Sequence, residues 1–329
     1  MSMKKRAPVL LDDLNQMQVY LGEETVEDFQ DGLITRRAML KRLIVICGGT
    51  AAAAAVLSAC GVPVNAPPTS STAPTAAGAT SPPPPPTPGL AKGPLTVAKE
   101  DAAVKTSDVT FKSDTDVMGY LARPAAEGSY PGVIVIHENR GLNDHIRDVA
   151  RRLAKAGYIA LAPDLVSRAG GTDKLERDKV SGMLGQAKPE DLVKDLNAAV
   201  DFLLADKGLK SDKVGVVGFC FGGAYTLRLA ATNPKIAAAV PYYGVTPQPA
   251  DQMGKTNAAI LGQYGGKDAR VNGTIPALED VMKTAGKTYE KKIYDDAGHA
   301  FNNDTGANYN EKAAVDAWKA TLDWFAKYL

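Results

Sequence analysis

Residues 213–231 read Lys213-Val214-Gly215-Val216-Val217-Gly218-Phe219-Cys220-Phe221-Gly222-Gly223-Ala224-Tyr225-Thr226-Leu227-Arg228-Leu229-Ala230-Ala231. The apolar run Val214–Val217 predicts a strand buried on both faces, and the run from Phe221 predicts a helix. Between them stands Gly-x-Cys-x-Gly, the pattern of a nucleophile elbow with Cys in the usual place of Ser. The glycines are a steric requirement: the turn from strand to helix is so sharp that side chains two residues either side of Cys220 would collide. The turn sets the sulfur at a helix N-terminus, where the dipole and free N–H groups favour a thiolate. The Phe221 N–H then becomes a candidate oxyanion donor. An inert buried cysteine in a Gly-rich turn would carry the same letters, so the reading depends on what flanks it.

Outward from this stretch, apolar runs alternate with helical periodicity. Strands are predicted at Val133–Ile136, Tyr158–Leu161, Ile236–Tyr242, Ala258–Tyr264 and Tyr289–Tyr294. Helices are predicted at 144–156, at 190–205 and at the C-terminus, where Val315, Trp318, Leu322, Phe325 and Leu329 step by three and four. Such alternation predicts an α/β fold with a mainly parallel central sheet and helices on both faces. Ligands of such sheets sit beyond the carboxyl ends of the strands. The loop after Tyr264 carries Asp268, and the loop after Tyr294 carries His299 in Ala297-Gly298-His299-Ala300-Phe301. Cys, Asp and His in that chain order, each after a strand, match the α/β-hydrolase arrangement. His299 would take the thiol proton and Asp268 would orient the imidazole, with Asp295 and Asp296 as rival orienters. The first long strand ends in His137-Glu138-Asn139-Arg140-Gly141. Its loop supplies the second oxyanion N–H, from Asn139, and sets Glu138 near the sulfur. No His-Glu-x-x-His spacing follows, which argues against a metal. The Gly- and charge-rich segment Ser167–Lys188 is read as shaping the pocket mouth, without an assignable fold.

These residues resemble the dienelactone hydrolase family. The resemblance spans about residues 100–329. It rests on Glu138, Ala162-Pro163-Asp164-Leu165, the Gly218–Gly223 elbow with its cysteine, Asp268, and Gly298-His299-Ala300-Phe301. It implies a cofactor-free cysteine hydrolase that opens an enol-lactone, with Cys220, Asp268 and His299 as its triad and Glu138 as shuttle for the thiol proton. It also implies that Arg168 binds a substrate carboxylate. A second family arginine, four residues after the histidine, is Asn303 here. That departure weakens the expectation of a carboxylated dienelactone and leaves the ester reaction untouched. An exported esterase or peptidase on the same residues, and a non-catalytic binding lipoprotein, are the alternatives.

The 329-residue chain carries 38 Lys and Arg against 37 Asp and Glu, for a net charge of +1, so no excess of cations argues for nucleic-acid binding. Three cysteines and three histidines exclude a disulfide framework and a Cys-based zinc site. The composition is uneven, since no charged residue occurs from Leu43 to Ala91. Arg36-Arg37 before the apolar run Leu43–Ala59 resembles a twin-arginine export signal. Leu57-Ser58-Ala59-Cys60 resembles a bacterial lipobox, with Cys60 lipidated. Residues 1–60 are therefore read as an N-terminal extension plus signal, 61–94 as a Pro/Ala/Ser/Thr-rich disordered spacer, and 95–329 as the catalytic domain. The expected partners are a small ester or lactone and, through the lipid, a bacterial membrane; the oligomeric state is left open, with a monomer in view.

Overall fold

The computed structural model describes residues 14–30, 32, 34–63 and 93–329. The spacer expected over 61–94 lies, from 64 to 92, outside the described residues, as do residues 1–13 of the N-terminal extension. The chain divides between Leu90 and Ala91 into two compact units.

The first unit contains three helices: α1 (Gln16–Gln30), α2 (Arg36–Cys47) and α3 (Thr50–Ala59). Thr35 caps α2, its hydroxyl accepting the Ala38 N–H at 3.2 Å. Gly48, at φ 74°, ends α2 in the left-handed conformation. The apolar run is thereby broken: α2 and α3 meet at 114°, and among the described residues no single helix is long and apolar enough to cross a membrane. Gly22 lets α1 lie close to both partners, since a Cβ there would sit 3.1 Å from Val56 and 3.6 Å from Leu43.

The second unit is built on one sheet. Its elements run β1 (Val104–Lys112), β2 (Asp116–Pro124), β3 (Tyr130–Ile136), α4 (Asp144–Lys155), β4 (Ile159–Pro163), α5 (Arg177–Gln186), α6 (Pro189–Leu204), β5 (Leu209–Phe219), α7 (Phe221–Thr232), β6 (Ile236–Tyr242), β7 (Ala259–Gly265), α8 (Ala269–Asn272), α9 (Ile275–Thr284), β8 (Tyr289–Tyr294) and α10 (Glu311–Tyr328). The strand order is β1-β2-β4-β3-β5-β6-β7-β8. β2 pairs antiparallel with β1 and β4, and from β4 across to β8 the pairs are parallel. Continuous burial of Val133–Ile136 and Val214–Phe219 follows from helices on both faces. Neighbouring positions of the sheet show both layers. A Cβ on Gly132, in register with Val214, would meet Leu203 of α6, whereas one on Gly215 would meet Phe325 of α10. This is the α/β-hydrolase architecture.

The structure departs from the sequence reading in the last helix. Val315 is 36% exposed; the buried face is instead Ala313, Ala314, Ala317, Trp318, Thr321, Trp324 and Phe325. Alanines let this face lie close to the sheet, and the Trp324 indole N–H donates to the Ala259 carbonyl at 3.1 Å. Ser167–Lys188, left without a fold, forms two short 3-10 turns and α5.

Candidate active site

The C-terminal ends of β3, β5, β6, β7 and β8 bring the expected residues to one edge of the sheet. Cys220 sits in the β5–α7 turn at φ 56° and ψ −116°, a conformation that costs on the order of 1–3 kcal/mol for a residue with a Cβ. The crowding predicted for the elbow is present. A Cβ on Gly218 would lie 2.3 Å from the Gly222 carbonyl oxygen, and one on Gly222 would lie 2.3 Å from that of Ile136. The Cys220 N–H donates to the Tyr242 carbonyl at 3.0 Å, tying the elbow to β6. Phe221 is the first residue of α7, where a backbone N–H has no intrahelical acceptor.

His299 stands on the loop after β8 and Asp268 on the loop after β7. These loops pack tightly, because a Cβ on Gly265 would meet the Gly298 carbonyl oxygen at 2.5 Å, and the Lys267 N–H donates to Ala297 at 2.9 Å. Asp268 is fixed at both oxygens. Oδ1 caps α8 by accepting the Val271 N–H at 3.1 Å, and Oδ2 lies 2.6 Å from His299 Nδ1. The structure thus brings Asp268 to the imidazole, rather than Asp295 or Asp296. A ring nitrogen of His299 lies within 4.8 Å of the Cys220 sulfur. Nε2 is buried and has no hydrogen-bond partner among the described residues. Burial opposes the imidazolium, but the hydrogen bond and charge of Asp268, joined by Cys220, outweigh it and hold the His299 proton well above the ordinary histidine range. Burial likewise opposes ionised Asp268, yet His299 and the Val271 N–H keep its carboxyl below its usual value.

Glu138 is buried, 4% exposed. Its Oε2 accepts Asn303 Nδ2 at 2.7 Å and its Oε1 accepts the Tyr243 hydroxyl at 3.5 Å. His137 explains how its backbone is held. His137 Nε2 accepts the Leu165 N–H at 3.0 Å, so Nδ1 carries the proton and donates to the Glu138 carbonyl at 2.6 Å. Burial, against the pull of Asp164 and Glu138, lowers the His137 pKa and keeps the ring neutral. It is a brace between two loops. The Asn139 carbonyl accepts the Ser181 hydroxyl at 2.9 Å, anchoring the loop after β3 to α5.

The guanidinium of Arg168, expected to bind a substrate carboxylate, grips Asp195 at 2.9 and 2.8 Å and also pairs with Asp114. Cys60 lies just beyond α3, in the first unit. Tyr243 and the amide of Asn303 are the side chains found around Glu138 that sequence patterning does not point to as its partners. Tyr243 follows an apolar strand and reads as core, although its place after β6, between the elbow and the Asp268 loop, is a signal.

Residues 117–329 match the model of the dienelactone hydrolase family. A protein of Methylorubrum extorquens named "Putative carboxymethylenebutenolidase" is 37% identical over 246 residues, covering 71% of this chain and 84% of the relative. A Bradyrhizobium protein named "Probable 2-oxo-3-(5-oxofuran-2-ylidene)propanoate lactonase" is 34% identical, covering 71% of this chain and 98% of the relative. Among solved structures, a "Putative Dienelactone Hydrolase" from Klebsiella pneumoniae superposes with a TM-score of 0.64 at 34% identity, covering 69% of this chain and all of that one.

Proposed function

Because this chain belongs to the dienelactone hydrolase family, and is thus a hydrolase of lactones or esters, we propose that it cleaves them through Cys220 and a thioacyl intermediate. The observation that supports this reading is the strained elbow at Cys220, with its sulfur within 4.8 Å of a ring nitrogen of the imidazole whose Nδ1 Asp268 holds.

In this mechanism the Cys220 thiolate attacks the carbonyl carbon, and the new C–S bond pushes electrons onto the oxygen. The N–H groups of Phe221 and Asn139 receive that charge. Collapse breaks the bond to the ring or alkoxy oxygen, which takes the proton held on His299 Nε2. The imidazole, now neutral, accepts a proton from water as the water oxygen attacks the thioester. The C–S bond then breaks and the acid departs, leaving thiolate and imidazolium as at the start. Glu138, the second carboxylate of the site, is held by Asn303 and Tyr243; where Cys220 begins as the thiol, it takes the thiol proton and passes it to His299, forming the thiolate–imidazolium pair from which the cycle starts. With Arg168 engaged by Asp195 and Asp114, and Asn303 where the resemblance implies a cation, uncharged esters and lactones fit this site better than carboxylated ones.

An enol-lactone and a short-chain aryl ester, each with and without a carboxylate, test the reading. Turnover favouring the uncharged pair supports it, and turnover confined to the carboxylated lactone contradicts the substrate assignment. The pairing of Arg36-Arg37 with Leu57-Ser58-Ala59-Cys60 supports export by a twin-arginine route and tethering to a bacterial membrane through lipid on Cys60. Replacing both arginines with Lys should retain the chain in the cytoplasm, and Cys60→Ala should release it from membranes. Unchanged export or continued membrane association would overturn this placement.

A further inference from the structure

We infer that Tyr243 is a positioning residue of this site, its hydroxyl fixing the Glu138 carboxylate while its ring backs the His299 imidazole. The inference rests on the hydrolase reading above. Among the described residues, three non-glycine residues have positive φ: Cys220, Tyr243 and Ala300. One is the proposed nucleophile and one adjoins His299. The third, Tyr243 at φ 39°, is an aromatic residue in a region that a Cβ disfavours. Strain of this kind persists where the surroundings over-determine it.

The surroundings here are close. The Tyr243 N–H donates to the Gln263 carbonyl at 2.8 Å, which ties it to β7. On the other side, a Cβ on Gly223 of the elbow helix would lie 2.5 Å from the Tyr242 carbonyl oxygen, and one on Gly244 would lie 2.3 Å from the Gly223 carbonyl carbon. The backbone is gripped between β7 and α7, and the strained turn delivers the phenol to the site. The side chain is fully buried. Its ring centroid lies 5.0 Å from that of His299 and 5.4 Å from that of Phe301. Its hydroxyl reaches Glu138 Oε1 at 3.5 Å, while Asn303 holds Oε2 at 2.7 Å. One side chain thus touches both the carboxylate and the base. Burial, followed by the charges of Glu138 and Cys220, raises the phenol far above its ordinary range, so it remains a donor.

The test uses the full chain and reads kcat and KM for an aryl ester, together with the rate of Cys220 alkylation by iodoacetamide at neutral pH. Tyr243→Phe, which removes only the oxygen, should lower kcat roughly tenfold with little change in KM. In the Glu138→Gln background the same change should cost about threefold or less, because the hydroxyl then has no carboxylate to fix. Tyr242→Phe, whose hydroxyl pairs with Thr321 at 2.6 Å, should leave kcat in place. Should the Phe variant not fold, 3-fluorotyrosine at position 243, a stronger donor of nearly the same size, should change kcat in the wild-type background and not in Glu138→Gln. An unchanged kcat in the Phe or fluorotyrosine protein, an equal loss in both backgrounds, or an equal loss in Tyr242→Phe overturns the inference. If the wild type hydrolyses neither ester nor lactone, the hydrolase reading fails, and the alkylation rate, which should change with Tyr243→Phe in the wild-type background and not in Glu138→Gln, still tests Tyr243.

Discussion

Asn303 Nδ2 donates to Glu138 Oε2 at 2.7 Å, joining the loop after β8 to the loop after β3. A neutral amide stabilises a buried carboxylate by hydrogen bonding without supplying a countercharge. The acid of this site is therefore held by two neutral side chains.

Asn303→Asp replaces that donor with a second carboxyl. Two carboxyls at this separation repel one another, so Glu138 loses the hydrogen bond that positions it and gains an unfavourable neighbour. kcat should fall by about tenfold with little change in KM. A folded variant with an unchanged kcat would show that this hydrogen bond plays no part in turnover.

The 2.6 Å contact between Asp268 and His299 yields a second prediction. Asp268→Asn should lower kcat by about 10³–10⁴-fold, since the amide favours the wrong tautomer. It should also change stability in a defined pH window. Asp268, lowered from 3.8, contributes above its unfolded value and loses that contribution as pH falls through its folded value. His299, raised from 6.5, contributes fully below its unfolded value and loses that contribution as pH rises through its folded value. The wild-type advantage in urea melts should thus be widest between about pH 4 and 6.5 and narrow on both sides. An advantage that keeps widening toward alkaline pH would contradict this pairing.

What was legible in the sequence followed from local rules. The β5–elbow–α7 passage could be read because its glycines answer a clash within five residues, and the buried parallel strands because both faces are apolar. The β1–β2 hairpin escaped because Val104–Lys112 lies at the sheet edge, where most of its side chains meet water and the alternation blurs. Val315 was misplaced because alanines, which carry little hydrophobic signal, form the packed face of α10. Asp268 and His299 could be placed by loop order, whereas the roles of Tyr243, Asn303 and Arg168 depend on partners 27 to 165 residues away. No spacing rule reports such pairs.

Asp304, next to Asn303, supports the loop after β8 from behind. Its buried carboxylate accepts Arg152 at 2.5 Å, the half-buried Thr96 hydroxyl at 3.1 Å and His145 Nδ1 at 3.2 Å. Burial opposes its ionisation, but the His145 hydrogen bond and the Arg152 charge take its pKa down to about 2. Asp304→Asn leaves Arg152 with Asp148 alone and should destabilise the fold by about 2–3 kcal/mol. Thermal melts at neutral pH should show a drop of roughly 4–12 °C. The difference should close as pH falls from 3.8 toward about 2, where the wild-type carboxylate is itself protonated. A shift under 1 °C at neutral pH would show that this network does not hold the loop.

The central claim is that Cys220 carries the acyl group of the substrate between two chemical steps. Rapid-quench mass spectrometry during turnover of a short-chain aryl ester reads it directly. The peptide containing Cys220 should gain the acyl mass within the first turnover and lose it to hydroxylamine, and Cys220→Ala should show neither adduct nor turnover. An acyl adduct on another residue, or undiminished hydrolysis by Cys220→Ala, would contradict the account.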